Sequence, residues 1–210
     1  VQFINNGNPA DKMDIVFLPA NYKQSESNLF ANDVQTHAKD LLNTEPFKSY
    51  KNRININYVN EFIDLGCKFA EPRLIVCDSS KVSTLAAKCN HDYIVVIFKT
   101  TEWRGSGGLD YAVASSSYTF ITIHELGHTI GLLMDEYDYG TTGSLYYSGA
   151  NCDNNSNCIK WSNVPGTGCY STCSYKNLYR ATNNCIMLSV TNRFCPVCER
   201  QIKNILNKYK

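Results

Sequence analysis

The sequence predicts an α/β sandwich followed by an irregular lobe stapled by disulfides. Three observations carry this. Strand-like apolar runs alternate with helical patterns from Asp14 to Phe98. A further apolar stretch then carries His124-Glu125-Leu126-Gly127-His128, whose spacing suits a helix. Seven of the ten cysteines fall after residue 150, in a stretch poor in leucine and valine.

The elements follow in order. Residues 1–12 are polar and include Asn-Gly-Asn-Pro, a loop or edge. Asp14 to Leu18 is a short apolar run closed by Pro19, read as a buried strand. From Ser25 to Asn43, Leu29, Phe30, Val34, Ala38, Leu41 and Leu42 recur at helical spacing, with Ser25 or Ser27 as N-cap. His37 lies in this helix and reads as a surface or semi-buried histidine rather than a metal ligand. Arg53 to Val59 alternates as a half-buried strand does. Lys81 to Lys88 reads as a short helix. Tyr93 to Phe98 is the most apolar strand and therefore central, with His91-Asp92 as its polar mouth. Gly105-Ser106-Gly107-Gly108 then leads into an apolar strand from Leu109 to Ser117. Residues 138–175 show little periodicity and read as loops held covalently. Val197, Ile202, Ile205 and Leu206 predict a terminal helix.

The chemistry concentrates at residues 124–136. Residues four apart on a helix share a face, so His124 and His128 can aim two imidazoles at one ion. Such a pair suits Zn²⁺, and Glu125 beside it suits a general base. A third protein ligand is needed. On an unbroken helix Asp135 would lie roughly 10 Å further along the axis, so the chain must turn back near Gly131. Asp135 is the favoured third ligand and Glu136 the alternative.

Composition excludes other classes. The net charge of +1 argues against a nucleic-acid groove or an anionic membrane surface as partner. No apolar run approaches the roughly 20 residues that span a bilayer. The chain starts at Val1 without an initiator methionine or signal peptide, as expected of a trimmed, mature form. Ten cysteines in an ordinary globular composition predict disulfides and a secreted protein. Asn154-Asn155-Ser156 fits a glycosylation acceptor in a loop.

The run H-E-L-G-H-x-x-x-x-L-x-D-E-Y, from His124 to Tyr137, resembles the signature of the IgA peptidase family of zinc metalloendopeptidases, metzincin-like members of the zincins. Further matches are Asp14 to Leu18, Pro46 to Tyr50, Tyr179-Arg180, Cys185-x-Met187 and Phe194-Cys195-Pro196-x-Cys198. The metzincin pattern proper has a third histidine where this chain has Met134; Asp135, the next residue, is the natural substitute.

The resemblance implies a single catalytic domain over 1–210, a metzincin-like sandwich with a mixed twisted sheet. Its upper part would be 1–137 and its cysteine-rich lower part 138–210. It implies Zn²⁺ on His124, His128 and Asp135, Glu125 as base, and Met187 in a turn beneath the metal. Gly107 and Gly108 would bind substrate on the cleft's upper rim. Tyr137 is the named oxyanion donor, with Tyr139 and Arg180 as further candidates. Cys195 and Cys198 are each expected to pair with a distant cysteine, Cys185 being one candidate. The implied partner is a peptide or protein substrate, cleaved by a monomer with no nucleic acid and no membrane insertion. The rival reading is a catalytically silent, secreted binding or toxin-like module that retains a structural metal.

Overall fold

The fold is that of a computed structural model, which describes residues 1–70, 73–146 and 149–210. In chain order its strands and α-helices are β1 (Gln2–Ile4), β2 (Met13–Ala20), α1 (Ser27–Asn43), β3 (Ile54–Tyr58), β4 (Lys68–Ala70), β5 (Leu74–Val76), α2 (Ser79–Ala86), β6 (Tyr93–Phe98), β7 (Gly105–Gly107), β8 (Ala112–Ser115), α3 (Thr119–Gly131), β9 (Cys152–Asp153), β10 (Tyr170–Cys173), β11 (Tyr175–Arg180) and α4 (Pro196–Leu206).

The main sheet has the order β1-β3-β2-β6-β8-β7. Its four inner strands run parallel, and both edge strands run antiparallel to their neighbours. A parallel sheet needs cover on both faces, and alternation within each strand supplies it. Met13, Ile15, Phe17, Val95 and Ile97 join one apolar cluster, which α1, α3 and α4 complete. Val16, Leu18, Val96 and Phe98 join the other, which α2 covers. The first cluster runs on into Met187, Phe194 and Leu206, so it draws on both ends of the chain.

Several boundaries differ from those expected. The strand read from Asp14 to Leu18 continues through Pro19 to Ala20. Proline is tolerated because pairing with β3 stops at Phe17, and Pro19 pairs only with β6. Neither Ser25 nor Ser27 caps α1: its N-cap is Glu26, with no side-chain cap bond, after a 3₁₀ turn at Gln24–Glu26. The helix read at Lys81 begins earlier, at Ser79, because Asp78 caps it by accepting from the Ser80 and Lys81 amides. The expected strand from Leu109 shrinks to Ala112–Ser115, and the glycine stretch before it forms β7.

Beyond α3, the chain makes a small sheet ordered β10-β11-β9 and few other regular elements. Cys152–Cys173 and Cys158–Cys169 staple it, as expected, and Cys67–Cys77 closes a loop in the first part. Cys89, Cys185, Cys195 and Cys198 form no disulfide, which corrects the expectation that Cys195 and Cys198 each bond a distant cysteine. No helix among the described residues is long and apolar enough to cross a membrane.

Candidate active site

The site is built on α3 and the bend that ends it. The helix is buried along most of its length, including Glu125, Leu126, Gly127 and His128. It stops at Leu132, which adopts φ 49° and ψ 39° and directs its amide to the Gly127 and His128 carbonyls. A left-handed conformation at a residue with a side chain costs about 1 kcal/mol or more. The bend therefore falls on Leu132, one residue past Gly131. The Leu133 amide also returns to the Gly127 carbonyl at 3.2 Å, closing a C-cap of two bonds.

Reversal at Leu132 carries Asp135 back under the two imidazoles. Its Oδ1 lies 3.0 Å from His124 Nε2 and 3.3 Å from His128 Nε2. Glu136 points away, into a cluster with Cys185, Cys195 and Cys198. The bend is held by Asn151, which accepts from the Met134 amide at 2.8 Å and donates to the Met134 carbonyl at 2.8 Å. Ser174 Oγ donates to the Asp135 carbonyl at 2.6 Å.

The ring orientations decide the chemistry. His124 Nδ1–H donates to the Ile186 carbonyl at 2.8 Å, and His128 Nδ1–H to the Leu133 carbonyl at 2.7 Å. Neutral imidazoles held this way present bare Nε2 lone pairs to the site. Two lone pairs then face a carboxylate oxygen, three acceptors with no donor among them. Such a set demands a cation. Without one, a proton fills the place: burial alone would lower His128, but the Asp135 carboxylate outweighs it and holds the imidazole up to about 9. Burial opposes ionisation of Asp135 too, yet the His124 and His128 rings hold it well below the usual carboxylate range. Histidine, histidine and aspartate at this spacing fit a metal ion, which would displace that proton.

Glu125 sits beside this group, with its carboxylate about 4.0 Å from His128 Nε2. Burial pushes its carboxyl up. Tyr139 Oη donates to Asp135 Oδ2 at 2.5 Å, on the side away from the imidazoles' shared oxygen. Burial and Asp135 push the phenols of Tyr137 and Tyr139 up, so both remain donors.

These groups line a cleft of about 420 Å³, whose walls include Trp103, Gly105, Gly107, Tyr137, Tyr146 and Val190. The structure thus brings His124, Glu125, His128, Asp135, Tyr137 and Gly107 to one place. Gly107 packs so closely on α3 that a β-carbon there would lie 2.5 Å from the Glu125 carbonyl oxygen. Gly108 is not a wall of the cleft; a β-carbon on it would meet nothing within 4 Å. Arg180 lies outside as well, bound to the Ser171 and Thr172 carbonyls and to Asn183. Met187 is fully buried beneath α3, against Gly127.

Arg73, Trp103 and Tyr146 in the cleft wall escaped the sequence reading. Trp103 offered a signal: a large aromatic just before a glycine-rich stretch. Its ring stacks on Phe120 at 5.7 Å, and Phe120 in turn lies 6.0 Å from His124.

Dictomallein-1 of Dictyostelium discoideum is 36% identical over 95 residues, 42% of this chain and 16% of that relative's own length. The aligned stretch is therefore a small part of that protein. Residues 65–163, which include β7, α3 and the Asp135 bend, match the profile of IgA peptidase M64. Over those residues, just under half of the chain, it is similar to the IgA peptidase M64 family, a family of peptidases.

Proposed function

We propose that this chain is a secreted zinc-dependent endopeptidase with a metzincin-like catalytic domain. The observation that carries the reading is the convergence of two bare Nε2 atoms and one carboxylate oxygen beside an otherwise uncommitted buried glutamate, in an open cleft. His124, His128 and Asp135 would hold the ion, and Glu136 would not. Zinc, when bound, supplies Lewis acidity and makes water at the open position easier to deprotonate.

The chain's own residues do the rest. Glu125 accepts a proton from the attacking water and returns it to the leaving nitrogen. Its raised proton affinity suits both steps. Tyr137 lines the cleft beside Asp135 and is the protein's donor for the developing oxyanion; Tyr139 holds the shorter bond to Asp135, and Arg180 lies elsewhere. An extended peptide would lie along Gly105–Gly107, the rim of the cleft. Three disulfides suit an oxidising, extracellular setting.

The test is digestion of a generic protein substrate by wild type and Glu125→Gln, each with measured zinc content. The variant should keep its zinc and lose turnover by about 100-fold or more. Undiminished cleavage would remove Glu125 from the chemistry. Wild type that binds zinc but cleaves nothing would favour a silent binding module.

A further inference from the structure

A second group of metal-ligand atoms lies behind the first. Glu136, Cys185, Cys195 and Cys198 each offer one atom, all within 4.8 Å of one another. All four residues are essentially without solvent exposure. Cys198 Sγ is 3.7 Å from Cys185 Sγ and 3.5 Å from Cys195 Sγ. Glu136 Oε1 is 3.4 Å from Cys198 Sγ and 3.9 Å from Cys195 Sγ.

These separations are too long for disulfides, and they match a tetrahedron. Zinc–sulfur bonds of about 2.3 Å place two thiolates about 3.8 Å apart at the tetrahedral angle, and a carboxylate oxygen about 3.6 Å from each sulfur. Parity points the same way. Three cysteines cannot all pair with one another, and the remaining thiol, Cys89, packs on the opposite side of the main sheet. Glu136 Oε2 is buried with no hydrogen-bond partner, an uncompensated cost that a bound cation would reduce.

A helix N-terminus and two hydrogen-bond donors meet this group. Cys195 is the N-cap of α4, with Cys198 in the helix's first turn, where the helix dipole is positive. The Cys195 amide donates to Cys185 Sγ at 3.2 Å. Asn151 Nδ2 donates to Glu136 Oε1 at 3.0 Å. A soft, thiolate-rich, tetrahedral set with no open face suits Zn²⁺ in a structural role.

We infer that Glu136, Cys185, Cys195 and Cys198 form a structural zinc site, distinct from the cleft, that braces the catalytic ligands from behind. Glu136 follows Asp135 directly, and its amide donates to the Met187 carbonyl at 2.7 Å. Cys185 precedes Ile186, whose carbonyl orients His124. One ion at this point would tie together the ligand bend, the Met187 segment and the start of α4.

Metal content per chain tests this on protein purified without chelator. Wild type should hold two zinc ions, and His128→Ala should hold one. Cobalt substituted into His128→Ala should give thiolate-to-cobalt charge-transfer absorption in the near ultraviolet. Cys198→Ser should lose the second ion, with the first retained if the chain folds. Alkylation of unfolded, chelated, unreduced wild type, read by peptide mass mapping, should label Cys185, Cys195 and Cys198 together. A metal-free His128→Ala, or a disulfide between any two of these three cysteines, would overturn the inference. Neither result would touch the cleft, because one zinc lost with His128 still leaves that site standing.

Discussion

Met187 Sδ lies 2.6 Å from where a β-carbon on Gly127 would stand. The glycine inside the H-E-x-x-H helix is therefore the socket for the methionine beneath it, and Phe194 closes the same socket at 3.1 Å. Gly127→Ala gains about 1 kcal/mol in helix propensity. It also forces a fully buried sulfur aside, and overpacking of this kind costs about 1–3 kcal/mol. The net should be destabilising, a fall of several degrees in thermal midpoint at fixed zinc. An equally stable Gly127→Ala would show that Met187 has room to retreat.

The Tyr139 hydroxyl bonds the carboxylate oxygen of Asp135 that does not face His124. Partners of this kind orient a ligand, and their loss weakens metal binding by about 10- to 100-fold. Tyr139→Phe should therefore weaken zinc affinity over that range in a chelator competition. Tyr137→Phe should leave affinity nearly unchanged and lower kcat instead. The reverse result would exchange the roles assigned to the two tyrosines.

Rim and helix touch at Gly107. A β-carbon there would stand 2.9 Å from His128 Cβ as well as against the helix backbone, and neither can yield cheaply. Gly107→Ala should displace the rim and lower kcat/KM on the order of 100-fold, the scale of an ångström-sized misplacement. Gly108→Ala is the matched probe, since open space surrounds it. A comparable loss in Gly108→Ala would return Gly108 to the substrate path.

The pattern of these residues explains what could be read in advance. Strand β6 and helix α3 were legible because their apolar periods are long enough to dominate. The two imidazoles and Glu125 were legible because helix geometry alone places them. Asp135 was favoured over Glu136, but the residue that makes the bend was not legible, since a left-handed Leu132 is a conformation that propensity disfavours. Leu132 holds that conformation because the C-cap bonds and Asn151 fix the chain on either side of it. Strand β7 was hidden for another reason. Gly105 and Gly107 carry no side-chain pattern, and backbone pairing with β8 makes a strand of them, close against Ile121 and Glu125. The cysteine count spoke for disulfides. Nothing in the spacing said that Glu136 would stand among three unpaired thiols.

His37 gives a pH signature independent of the cleft's own ionisations. Its Nε2–H donates to the Ser116 carbonyl at 3.1 Å, and its Nδ1 accepts from the Thr122 hydroxyl at 2.6 Å. The ring is fully buried and neutral, and burial lowers its proton affinity despite the Ser116 bond. The unfolded histidine titrates near 6.5, so below that pH the unfolded chain binds the extra proton. The stability His37 confers is whole above about pH 6.5 and is lost as the pH falls towards the depressed folded value. In urea titrations at fixed zinc, the stability advantage of wild type over His37→Gln should therefore shrink between about pH 7.5 and about pH 5. Taking the difference between the two proteins cancels titrations they share. An advantage that stays constant across that range would mean that His37 accepts its proton in place, with Thr122 turning its hydroxyl to receive the ring N–H.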